Sequence, residues 1–347
     1  MRMHNTMALV LLGGMMITAT VIGLGILALA APNFDVELIT IILIALFIIG
    51  ASLMFVSFII IIRETLPYDI LKVSVIGLPR AGKTVFTTVF LHDFVNELKS
   101  SDTNETKALV EGFSKGSYRR VNSNYRKMND LGKKPRTPTH KLDPMSYQSV
   151  LKVKRRGQDD PIRYTLTISD HAGETFQAMV RDVQKAKLPV LTQLRMKLSI
   201  SARRFYKDVI NSHILFLAVD LDAILSPAQH SYKPKDIASA FVDTIEYKLN
   251  PTGKLGAKKA SAFPIALLFL KKDLCYVSTR AENDVLSEFS TLFRRCRANS
   301  LPISHYFVTS TGHEIDNLAD PYVSISSENV FKPFMWALEH YFEPTSN

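Results

Sequence analysis

Gly77-Leu78-Pro79-Arg80-Ala81-Gly82-Lys83-Thr84 fills the pattern G-x-x-x-x-G-K-[ST] without a mismatch. It follows a β-like apolar run at residues 71–76 and leads into a helix-compatible segment at 84–98. A strand, a glycine-bounded loop and a helix N-terminus, in that order, turn consecutive backbone N–H groups onto one phosphate. Gly77 and Gly82 let the backbone bend around a β-phosphate. Lys83 offers a point charge to the β- and γ-phosphates, and Thr84 offers a hydroxyl to Mg2+. Leu78, Pro79, Arg80 and Ala81 form the variable middle of this nucleotide-binding loop, where Arg80 either touches a phosphate or points into solvent.

Upstream, residues 7–31 hold no charged side chain over 25 positions, and residues 39–62 hold none over 24. At about 1.5 Å per residue each could cross a hydrocarbon core of roughly 30 Å. The expectation is therefore a transmembrane hairpin over 1–69. A cleaved signal peptide is the rival for the first run, with Arg2 as its basic start and Ala28-Leu29-Ala30 as its small-x-small site. Its length exceeds the usual signal core, which favours the anchor. The connection at 32–38 carries Asp35 and Glu37 without Lys or Arg, while Arg2, Arg63 and Lys72 flank the other side. The positive-inside rule then puts both termini, and the bulk of the chain, in the cytoplasm.

The net charge of +10 implies an anionic partner. A membrane tether makes lipid headgroups the simpler one, at about 1 kcal/mol per Lys or Arg near the surface; nucleic acid is the second. Cys275 and Cys296 are the only cysteines, which excludes a disulfide framework or a cysteine-based metal site.

From residue 71 onward, β-type runs at 71–76, 147–154, 162–169, 213–219, 263–270 and 304–309 alternate with helical patterns at 84–98, 174–186, 236–249, 281–299 and 329–342. Such alternation predicts an α/β domain over 70–347 with a largely parallel sheet. The turn-rich linker at 156–161 predicts a hairpin, and with it one antiparallel edge strand. Two basic insertions interrupt the pattern at 99–144, with a helix near 118–131, and at 188–208. They are either solvated faces or the elements that contact a partner or lipid.

Asp170-His171-Ala172-Gly173-Glu174 follows the strand at 162–169. With the loop at 77–84 it resembles the third motif, D-x-x-G, of the small Ras- and Arf-like P-loop GTPases and the translation-factor class. The resemblance implies a Ras-like fold that binds Mg2+ with GTP or GDP. Asp170 and Thr84 would hold the metal, and the Gly173 N–H would sense the γ-phosphate. Where many of these proteins carry a water-orienting glutamine, this chain has Glu174, a carboxylate that cannot donate. Hydrolysis is then slow, differently organised or partner-dependent; alternatively Glu174 simply caps the next helix.

The base-reading motif [NT]-K-x-D is matched by Leu270-Lys271-Lys272-Asp273 in all but its first residue. Lys271 would lie along the base and Asp273 would accept from guanine N1–H and the exocyclic amine. Thr309-Ser310-Thr311-Gly312 resembles the fifth motif, with Ser310 and Thr311 near the guanine oxygen. GTP is thereby favoured over ATP. Thr137 and Thr139 are the two candidates for the switch threonine, and Thr139 is preferred. Asp220 matches a strand-ending aspartate common in Arf-like members. The membrane-anchored layout resembles the signal-recognition-particle receptor β-subunit, whose single anchor differs from a hairpin, and Asp170–Glu174 also resembles GTPases of bacterial defence operons. No H-E-x-x-H or G-x-S-x-G competes.

The expectation is thus a membrane-anchored GTPase that uses Lys83, Glu174 and Thr139 in hydrolysis and recruits a protein effector. A GTP-holding scaffold without turnover and an ATP-dependent membrane signalling ATPase are the alternatives.

Overall fold

Strand β1, Asp69–Gly77, buries Leu71, Val73, Val75 and Ile76 completely in the computed structural model. A strand apolar on both faces belongs in the interior of a sheet with helices on either side. The structure describes scattered positions between 14 and 55, then residues 69–97, 107–131, 133–135, 145–154, 161–185, 200–226, 232–250, 262–275, 279–312 and 325–342. The chain divides into two units, 1–68 and 69–347.

In the first unit the expected spans, 7–31 and 39–62, lie largely outside the described residues. Among the described residues no helix is long and apolar enough to cross a membrane. The transmembrane hairpin of the sequence reading is therefore withdrawn.

In the second unit, β1 is joined by β2 (Lys107–Phe113), β3 (Met145–Lys154), β4 (Ile162–Asp170), β5 (Ile214–Asp220), β6 (Ile265–Leu270) and β7 (Ile303–Val308), in the order β2-β3-β4-β1-β5-β6-β7. The pairs β4–β1, β1–β5, β5–β6 and β6–β7 are parallel. The pairs β2–β3 and β3–β4 are antiparallel. The expected hairpin between β3 and β4 is present, but β3 is not the edge. β2, from within the basic insertion, closes the sheet beyond it. Its alternation is short and diluted by charge: Ala108 and Val110 are buried while Leu109 and Glu111 are exposed.

Helices cover both faces, numbered here from residue 69: α1 (Lys83–Glu97), α2 (Lys115–Leu131), α3 (Gly173–Lys185), α4 (Ile200–Ile210), α5 (Leu221–Leu225), α6 (Pro234–Leu249), α7 (Thr279–Glu288), α8 (Ser290–Ala298) and α9 (Lys332–Phe342). The two-residue period of β5 separates the two cores. Leu215, Leu217 and Val219 join Phe176 of α3, Phe205 of α4 and Phe241 of α6. Ile214, Phe216 and Ala218 join Phe90 of α1, Val121 of α2 and Phe334 of α9. The single helix expected at 281–299 is broken at Phe289 into α7 and α8.

His213 locks the start of β5 onto β1. Its Nδ1 accepts from the Lys72 backbone N–H at 3.0 Å, and the His213 backbone N–H donates to the Lys72 carbonyl at 2.7 Å. Burial, with the charges of Lys248 and Lys72, holds the imidazole below its usual pKa. The unfolded chain takes this proton near pH 6.5, so below that range the unfolded state binds more protons and stability falls as pH falls. His213→Asn should flatten the acid limb of a melting-temperature profile between about pH 7 and 5. An unaltered limb would contradict this placement.

Candidate functional site

The loop between β1 and α1 is built by close backbone approaches. A Cβ on Gly77 would collide with the Ala218 carbonyl oxygen of β5 and lie 3.1 Å from its carbon. Both obstacles are backbone, so neither can turn aside. Gly77→Ala should cost about 3 kcal/mol or more, read by chemical denaturation; wild-type stability would contradict the approach of β1 to β5. Arg80 (φ 64°) and Gly82 (φ 83°) are left-handed, and the two turns curl the loop over the start of α1. Arg80 is exposed, Pro79 is half-buried, and Leu78 and Ala81 are buried.

Lys83 is buried at the first position of α1. Its ammonium donates to the carbonyls of Gly77 at 3.0 Å and Leu78 at 2.8 Å. Burial pulls its pKa below the usual lysine value, against the opposing charges of Asp170 and Glu174.

Asp170 ends β4 and is paired in register with Val75 of β1. The Thr84 hydroxyl donates to its Oδ2 at 2.5 Å, and its Oδ1 is buried without a partner among the described residues. Burial raises the carboxyl to about 6, opposed by Lys83 and Thr84. One hydroxyl and one carboxylate with a spare oxygen are hard donors of the kind Mg2+ takes when substrate phosphates and water complete its shell. Thr84 and Asp170 thus fit the metal that the motif implies.

Gly173 opens α3 directly on the loop between β1 and α1. A Cβ there would collide with Pro79 N and Cα and lie 2.6 Å from the Leu78 carbonyl carbon. Glu174 is exposed in the first turn of α3, where a negative charge complements the helix dipole. His171, in the turn between β4 and α3, is buried. Its ring meets Phe205 edge-on at 5.1 Å, and burial followed by the Lys83 charge lowers its pKa to about 3.

Lys271 and Asp273 follow β6, and Ser310 and Thr311 follow β7. Lys271 is left-handed and its ammonium pairs with Asp220. Asp273 Oδ2 accepts from the Thr311 hydroxyl at 3.1 Å, and its Oδ1 is buried with no partner among the described residues. Ser310 and Thr311 are both buried, and Gly312 turns left-handed at φ 77°. Residues 77–84, Asp170, Gly173, Lys271, Asp273, Ser310 and Thr311 therefore all lie at or just beyond the carboxyl ends of β1, β4, β6 and β7. Thr137 and Thr139 lie outside the described residues. Asp220 was noticed in the sequence only as a strand ending; its pairing with Lys271 depends on the adjacency of β5 and β6.

No family model and no curated protein matches the chain. Among solved structures it is similar to the "Signal recognition particle receptor SRb-GTP/SRX complex" from Chaetomium thermophilum, at 14% identity and a TM-score of 0.36, over 71% of this chain and 93% of that one. At that score the likeness carries no argument about this chain. What the site does is argued from its own residues.

Proposed function

We propose that the chain is a guanine-nucleotide switch that binds Mg2+ with GTP or GDP and hydrolyses GTP slowly. The supporting observation is that two of the three unpartnered buried carboxylate oxygens among the described residues stand where the motifs need acceptors, Asp170 Oδ1 at the phosphate end and Asp273 Oδ1 at the base end. An acceptor left bare in a buried site costs about 1–3 kcal/mol unless a ligand meets it. Asp170 suits a metal beside Thr84. Asp273, braced by Thr311, suits two adjacent N–H donors, which guanine presents and adenine does not.

Lys83 would leave the Gly77 and Leu78 carbonyls for the β- and γ-phosphates. The backbone N–H groups of 80–84 would cradle the β-phosphate. Mg2+, when bound, supplies charge neutralisation across the β- and γ-phosphates. Gly173 rests on the loop that grips the phosphates, so the γ-phosphate and residues 170–174 cannot be placed independently. That coupling would carry the nucleotide state to Glu174, the exposed residue of the segment, where a protein partner would read it.

Glu174 favours slow turnover, because a carboxylate accepts from the attacking water but cannot donate to the γ-phosphate as an amide can. Single-turnover phosphate release from purified full-length chain should be measurable with Mg-GTP and absent in Lys83→Ala. GTP that stays bound and intact over hours would leave a GTP-holding scaffold instead of an enzyme.

A further inference from the structure

The turn that would read the base has an anchor outside its own motif. Asp220 closes β5 and lies opposite Leu270, the last residue of β6, in the parallel register. It immediately precedes α5, the position from which an aspartate ordinarily caps a helix, yet its carboxylate makes no capping hydrogen bond. Oδ2 takes the Lys271 ammonium instead, and Oδ1 is buried without a partner among the described residues. Capping therefore does not account for this carboxylate.

Lys271 is held in the left-handed region at φ 66°, ψ 34°, which is unfavourable for a residue with a Cβ. Its side chain runs back along the phosphate loop, with Cγ 3.8 Å from where a Cβ on Gly82 would stand. Leu270 faces the same point with its Cβ and Cδ1 at 3.7 Å and contributes apolar contact alone. A lysine stem carries large rotamer freedom, so a partner is needed to keep it in one place.

We propose that Asp220 is a positioning residue of the nucleotide site. From β5 it holds the Lys271 stem along the phosphate loop, the task that leucine at 270 cannot perform, and so sets how long the base stays bound. This rests on the nucleotide-binding function proposed above. A partly exposed ion pair adds little to folding, whereas fixing a flexible contact surface before binding lowers the ordering cost of the complex.

The test is the release rate of a fluorescent GDP from wild type, Asp220→Ala, Asp220→Asn, Lys271→Met and the Asp220→Ala/Lys271→Met double variant, with thermal denaturation of each nucleotide-free protein. Asp220→Ala should release GDP about tenfold faster or more, with a nucleotide-free melting temperature close to wild type. Asp220→Asn should recover part of the loss, because its amide oxygen still accepts from the ammonium. In the Lys271→Met background, removing Asp220 should add nothing. Unchanged release from Asp220→Ala, or an equal acceleration with and without Lys271, would overturn the positioning role while leaving nucleotide binding intact. Wild-type protein that binds no nucleotide would overturn both.

Discussion

Lys83→Ala should weaken Mg-GTP binding at least about a hundredfold and leave the fold standing. The ammonium is buried and donates to two loop carbonyls, those of Gly77 and Leu78. Truncating one member of a desolvated charge pair costs about 2–5 kcal/mol, and about 2.8 kcal/mol is already a hundredfold in affinity. The nucleotide-free protein should lose little, because burial disfavours the charged lysine in the first place. Isothermal titration gives the affinity and thermal denaturation gives the fold. Wild-type affinity in the variant would remove the phosphate loop from the account.

Asp273→Asn should cost guanine nucleotide about a hundredfold or more in affinity and transfer preference to xanthine nucleotide. Guanine presents N1–H and an amino group side by side, and a carboxylate accepts both. Asparagine offers one acceptor and one donor, so the guanine amino group would face another N–H. Xanthine carries a carbonyl at that position and would accept from the amide. The Thr311 hydroxyl, which donates to Oδ2 at 3.1 Å, can hold the amide carbonyl and turn the NH2 toward the base. Competition by GTP and XTP for a fluorescent nucleotide checks the exchange. Equal loss of both would mean that Asp273 supports the turn rather than the base.

The parts of the molecule that were legible in the sequence are those written contiguously. Residues 77–84 hold strand end, two glycines, lysine and threonine in one run, and Asp170 and Gly173 close a single strand-to-helix turn. What escaped was non-local or disguised by charge. β2 alternates over only seven residues, with Lys107, Glu111 and Gly112 among them, so its pairing with β3 outweighs a weak local pattern. α4 buries Phe205, Tyr206 and Val209 at helical spacing, but Arg203, Arg204 and Lys207 made the segment look like a solvated insertion. The Lys271–Asp220 pair joins residues 51 positions apart, and only the order of the strands brings them together. The apolar runs at 7–31 and 39–62 taught the opposite lesson: composition alone suggested a hairpin that the described residues do not contain.

Competition between GTP and ATP for a fluorescent guanine nucleotide on the purified full-length chain, with Mg2+ present, tests the account most directly. The unpartnered Oδ1 of Asp273 and the Thr311 brace on its Oδ2 predict that GTP displaces the probe at a concentration about a hundredfold lower than ATP, or lower still. ATP displacing it as well as GTP, or better, would contradict the assignment of Asp273 to the base and with it the guanine switch.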